Sequence, residues 1–143
     1  MTVVLDASAV IALLRDEPAA EEVESLLHSD TGSILTVNRA EVTAALLRLG
    51  VADEPVALAL QELQEAEVLQ VPLDVPTGDL AGRLRAVHHR RRDSAVSLPG
   101  CCALAHAMRI SGRLATCDPA LVAAARAEGV EVVALPDSSG RRP

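Results

Sequence analysis

Three acidic residues stand where segments that read as β-strands hand over to helices. Asp6 directly follows the apolar run Thr2 to Leu5, Asp118 follows the run Arg113 to Thr116, and Glu41 lies one turn into the helix after a second strand. In an open parallel sheet ligands collect at the carboxyl ends of the strands, so acids at these positions converge on one rim even though they are far apart in the chain. Crowded carboxylates repel, at about 4 kcal/mol for a pair 4 Å apart at an effective dielectric of about 20. Either protons are taken up, or a hard divalent cation such as Mg2+ or Mn2+ binds through oxygens and waters. A cation held at an open edge activates water and stabilises charge on a phosphodiester.

Each acid also has a structural reading. Asp118 before Pro119 fits an N-cap with proline at the first helical position. Glu41 stands three residues after Asn38, a spacing related to the capping box. Asp6, at the end of a buried strand, is costly unless it caps the next helix or meets a cation. Capping explains the three less well together than singly, because all would crowd one edge.

The elements that must bring these acids together follow from the hydrophobic pattern. Strands are expected at Thr2 to Leu5, Ser33 to Val37, Val68 to Leu73, Arg113 to Thr116 and Glu131 to Leu135. Between them helices are expected over Ala9 to Arg15, from Pro18 to about Ser29, from Asn38 as cap to Leu49, and from about Glu54 to Ala66. Further helices follow Pro76 and Gly78, open at Gly100 after a loop from Asp93 to Pro99, and start at Asp118-Pro119. Strands alternating with helices predict an α/β fold, a three-layer α/β/α arrangement around a parallel, roughly five-stranded sheet. One domain over residues 1–143 is expected, with a polar tail from about residue 136.

Composition narrows the classes further. The chain has 143 residues and a formal net charge of −7; no apolar run reaches the roughly 18 residues of a membrane span. The first strand begins without a charged leader, so a cytoplasmic protein is expected. All 13 basic residues are arginine and there is no Phe, Tyr or Trp. Bound nucleic acid therefore has no aromatic ring to stack on and must be held by phosphate contacts and guanidinium planes. The odd, bunched set Cys101, Cys102 and Cys117 reads as reduced thiols; a zinc site from Cys102, His106 and Cys117 is compatible with helical spacing but lacks any CxxC pair. His28, His88, His89 and His106 form no spaced catalytic set with Ser or Cys.

Val3-Val4-Leu5-Asp6-Ala7-Ser8-Ala9 resembles the opening motif of PIN domains. Asn38-Arg39-Ala40-Glu41-Val42 resembles their central Glu helix, and Leu114-Ala115-Thr116-Cys117-Asp118 their last acidic motif. The order and spacing cover nearly the whole chain, whose size is similar to that of VapC toxins. The resemblance implies Mg2+-dependent (or Mn2+-dependent) cleavage of RNA, with Asp6, Glu41 and Asp118 as metal ligands and catalytic acids, and neutralisation by a small antitoxin protein. It also implies one departure. PIN domains carry a further Asp in a Ser-Leu-x-Asp motif, and the matching stretch here is Ser97-Leu98-Pro99-Gly100. Glycine offers no ligand, so metal affinity and turnover are expected to fall. Asp93, seven positions upstream, reads better as a loop acid beside Arg92 than as a replacement.

Arg83, Arg85, His88, His89, Arg90, Arg91 and Arg92 form the only dense positive stretch. Arg85, Arg90, Arg91 and Arg92 are candidates to hold RNA phosphates near the acidic edge; the same arginines also suit a solvated helix end, where they complement the dipole. Leu13, Leu14, Val23, Leu26, Leu46, Leu47 and Leu49 supply more apolar helix surface than a thin domain needs, which permits a homodimer face or a groove for an antitoxin helix. A receiver-type phosphoacceptor would need a lysine, and a haloacid-dehalogenase-type phosphatase would need Asp-x-Asp where Asp6-Ala7-Ser8 stands. The remaining rival is a non-catalytic PIN-like module that binds a protein partner or RNA.

Overall fold

The computed structural model describes Met1–Pro143. Val3, Val4 and Leu5 have no solvent exposure, and this continuous apolar run forms β1 (Thr2–Leu5) at the centre of the sheet, as expected of a strand covered on both faces. Around it the chain runs α1 (Ala7–Leu14), α2 (Ala20–Ser29), β2 (Thr31–Leu35), α3 (Thr36–Arg48), α4 (Asp53–Glu65) and β3 (Leu69–Val71). It continues through α5 (Val75–His88), α6 (Leu98–Ile110), β4 (Arg113–Thr116), α7 (Pro119–Ala127) and β5 (Val132–Ala134). The five strands are parallel in the order β3-β2-β1-β4-β5.

Alternation along β1 sorts the core into two layers. Val3 and Leu5 pack with Val10 of α1, Val23 of α2, Val42 of α3 and Leu60 of α4. Val4 faces the other way and packs with Leu84 of α5, Leu104 of α6, Leu114 of β4 and Leu121 of α7. Each fully buried Val or Leu contributes about 1.5–3 kcal/mol, and no aromatic ring is needed to fill either layer. This is the expected α/β fold with helices on both faces. No helix is long and apolar enough to cross a membrane.

Several element boundaries differ from the sequence reading. β2 pairs with β1 from Thr2↔Thr31 to Val4↔Ser33, so it begins two residues before the expected Ser33 and is spent by Leu35. α3 accordingly opens at Thr36, and Asn38 lies inside the helix rather than capping it. α1 starts at Ala7 rather than Ala9, because the Asp6 carboxylate accepts from Ala9 N and allows the helix to begin at once. α6 starts at Leu98, capped by Ser97, which places Gly100 in the first turn rather than at the opening residue. Asp74 caps α5 in the same way through Thr77 N.

Candidate functional site

Strand order decides which acids meet. β2, β1 and β4 are consecutive in the sheet, and Asp6 and Asp118 follow the ends of β1 and β4 while Glu41 lies in α3, directly after β2. Asp6 is the most enclosed, 5% exposed. Its Oδ1 accepts from Ser8 Oγ at 2.7 Å and Ala9 N at 3.0 Å, and its Oδ2 accepts from Thr116 Oγ1 at 2.5 Å. Burial pushes its carboxyl above the usual range; the three hydrogen bonds work against that shift, and the negative charge of Asp118 adds to it.

Thr116 ties the acids of neighbouring strands together. Its hydroxyl donates to Asp6 and accepts from Asp118 N at 3.0 Å, while Ser8 Oγ accepts from Cys117 N at 2.9 Å. Neither hydroxyl was assigned a role from sequence. The available signal was a polar residue at the end of an apolar strand, with Thr116 wholly buried. Asp118 Oδ1 accepts from Ala120 N at 2.9 Å and caps α7, so the capping reading is correct; Oδ2 takes no hydrogen bond from the protein.

Glu41 is half-buried, and its Oε1 accepts from Asn38 Nδ2 at 3.1 Å. Burial raises its pKa, the Asn38 bond lowers it, and the charges of Asp6 and Asp118 raise it further. The three carboxylates therefore interact, and capping accounts for only one oxygen of Asp118 and one of Asp6. Gly100 is buried in the first turn of α6, next to Pro99, whose carbonyl accepts from the amide that also holds Glu41. A Cβ there would lie 2.9 Å from Ser97 Oγ and 3.5 Å from Leu121 Cδ2, so the position without a carboxylate borders α7, next to the rim.

The other candidates separate. Arg85 is half-buried and its Nε donates to Val96 O, which anchors the loop after α5; His89 Nδ1 bonds the same carbonyl and His88 Nε2 pairs with Glu128 Oε1 at 2.6 Å. Arg90, Arg91 and Arg92 are exposed and have no ion pair, on a turn closed by Arg90 N to Ser94 O and Ser94 N to Arg90 O. That turn is nearer the rim than its sequence distance suggests: Asp93, Ser94 and Ala95 line a surface cleft with Asp118, Pro119, Ala120 and Ala123. The zinc set does not form. His106 Nε2 bonds Ser33 Oγ at 3.0 Å, and burial pushes the thiols of buried Cys101 and half-buried Cys117 up to about 11, which disfavours the thiolate a metal needs.

No group of three or more His, Cys, Asp or Glu side chains is placed to hold a metal ion, Asp6, Glu41 and Asp118 included. The residues nonetheless fit Mg2+ in kind. It takes oxygen ligands, keeps several waters, and is ordinarily bound through only one or two carboxylates. Asp118 Oδ2 and Glu41 Oε2 carry no protein donor, and a cation there would offset both the burial that chiefly raises the Glu41 pKa and the smaller repulsion from Asp6 and Asp118.

A family model described as PIN domain matches residues 3–127. Among solved structures, the chain is similar to the DNA-bound VapBC of Salmonella typhimurium, with a TM-score of 0.70 and 15% identity over 93% of this chain and 97% of that one. It is similar to VapC20 of Mycobacterium tuberculosis, a sarcin-ricin-loop-cleaving toxin, with a TM-score of 0.69 and 14% identity over 85% and 94%. FitAcB of Neisseria gonorrhoeae gives a TM-score of 0.61 and 20% identity over 91% and 95%. At these identities the likeness is one of fold. No curated protein sequence matches at a significant level.

Proposed function

The chain belongs to the PIN domain family, and on that premise we propose that it is an endoribonuclease toxin of a type II toxin–antitoxin pair, dependent on Mg2+ or Mn2+ and attenuated by Gly100. The observation that carries this reading is the placement of Asp6 and Asp118 after the adjacent strands β1 and β4, with Glu41 in the helix that follows the neighbouring β2, and with Asp118 Oδ2 and Glu41 Oε2 free of protein donors. The toxins and toxin–antitoxin complexes among its structural neighbours support it.

A divalent ion bound there supplies a lowered pKa for water and charge neutralisation at a phosphodiester. The chain's own residues do the rest. Ser8 and Thr116 hold Asp6 in one orientation, the α7 backbone holds Asp118, and Asn38 holds Glu41. Arg90, Arg91 and Arg92, unpaired and on the turn beside Asp118, grip RNA phosphates; Arg85 holds the segment after that turn through Val96 O. The partners proposed are an RNA substrate, a small cognate antitoxin and a second copy of the chain, in the cytoplasm.

Gly100 favours a second reading, a PIN-like module that binds RNA or a protein without cutting, since it leaves the rim one carboxylate short. A cleavage assay over a panel of structured and single-stranded RNAs, with Mg2+ or Mn2+ titrated, separates the two. The nuclease reading expects slow, metal-dependent product that Asp6→Asn and Glu41→Gln abolish. Binding without metal-dependent product in both the native chain and Gly100→Asp supports the module.

A further inference from the structure

Asn38 is fully buried in the first turn of α3, where an amide is costly unless its polar atoms are paired. Its amide Nδ2 makes two bonds at once, donating to Glu41 Oε1 at 3.1 Å and to Pro99 O at 2.9 Å. Both partners are acceptors, so the amide has one sensible orientation: turning it over would set Oδ1 against two oxygens. Oδ1 is itself buried and takes no hydrogen bond from the protein. A fully enclosed amide with a spare acceptor does not serve packing, because native interiors pair their buried polar groups.

We propose that Asn38 is a positioning residue, which holds the Glu41 carboxylate in place and couples it to the Pro99–Gly100 turn at the start of α6. The inference rests on the metal-rim reading of Glu41 and assigns to that site a part not carried by any acid. One amide bridges α3 and α6, the two helices that flank the rim where the position of the missing carboxylate lies. Fixing a ligand by a second hydrogen-bonded group is how metal sites keep affinity, and loss of such a group ordinarily weakens metal binding about 10- to 100-fold.

The test is Mn2+ binding by calorimetry on the full chain, with Mn2+ alone as the probe. It compares native chain, Asn38→Leu, Glu41→Gln and the double variant, each also in the Gly100→Asp background, where the added carboxylate strengthens binding. Asn38→Leu is expected to weaken Mn2+ about 10- to 100-fold, with folding checked by its unfolding transition in chelator. In the Glu41→Gln background it should weaken Mn2+ no further, because Asn38 acts through Glu41. Asn38→Ser carries the same cycle if Asn38→Leu does not fold. Unchanged Mn2+ affinity in Asn38→Leu, alongside a loss in Glu41→Gln, overturns the positioning role and leaves the rim standing; so do losses that simply add. Mn2+ binding untouched by Glu41→Gln, or absent from both the native chain and Gly100→Asp, overturns the rim reading and the positioning role with it.

Discussion

Replacing Gly100 by Asp perturbs the rim at the one position where a ligand is expected and absent. Without metal the change should destabilise. Gains are small: about 0.3 kcal/mol from leaving glycine's poor helix propensity, and about 0.3–1 kcal/mol from a negative charge in the first turn of α6. Against them stands repulsion from Glu41 and Asp118; two unit charges about 8 Å apart repel by about 2 kcal/mol at an effective dielectric of about 20, and that figure is taken for each. The Ser97 hydroxyl must also shift, since the new Cβ lies 2.9 Å from it. The net is a loss of about 3 kcal/mol in chelator, or about 9 °C at roughly 3 °C per kcal/mol for a chain of this size. An ion at 100 times its dissociation constant returns about 2.7 kcal/mol, nearly the whole deficit. The assay is thermal unfolding of native chain, Gly100→Ala and Gly100→Asp in chelator and in Mg2+, followed by RNA cleavage. Gly100→Ala meets the same steric contact without charge, so it should shift little in either medium. If Gly100→Ala and Gly100→Asp fall equally in chelator, or if Mg2+ raises all three alike, the electrostatic argument for the rim is wrong.

Gly112→Ala should lower the unfolding midpoint by an amount worth about 1–3 kcal/mol, because its Cβ would lie 2.8 Å from Thr2 O, a backbone atom of the central strand that cannot swing away. His106, buried against Ser33, has its pKa lowered by burial, so the unfolded chain binds the proton more readily. Its contribution to stability is complete above the unfolded value of about 6.5 and is lost as pH falls below it. Urea midpoints between pH 7.5 and 5 should therefore fall more steeply for the native chain than for His106→Gln; the raised carboxyls of Asp6 and Glu41 act in the opposite sense and are common to both proteins. Arg90→Ala, Arg91→Ala and Arg92→Ala should each weaken RNA binding and flatten the slope of log affinity against log salt by about 0.7 for single-stranded RNA. An unchanged slope would make the turn an ordinary solvated helix end.

Much of this protein was legible in its residues because the signals are local. An unbroken apolar run announces a strand covered on both faces, and Asp or Ser followed by helical periodicity announces a cap, which is why β1, α1, α7 and the acids beside them could be placed in advance. Asn38 shows where such reasoning stops. Its type and spacing to Glu41 fit a cap equally well, and what excludes the cap is the register of β2 on β1 together with a carbonyl 61 residues away. The bond from Thr116 to Asp6 spans 110 residues, and no local preference reports it. That β4 lies beside β1, bringing Asp118 next to Asp6, likewise depends on which strands pair rather than on any segment's own sequence. Local physical chemistry determined the elements and the kinds of group at their ends; only the tertiary structure decided which groups meet, because pairing and burial are properties of contacts between segments that separately have none.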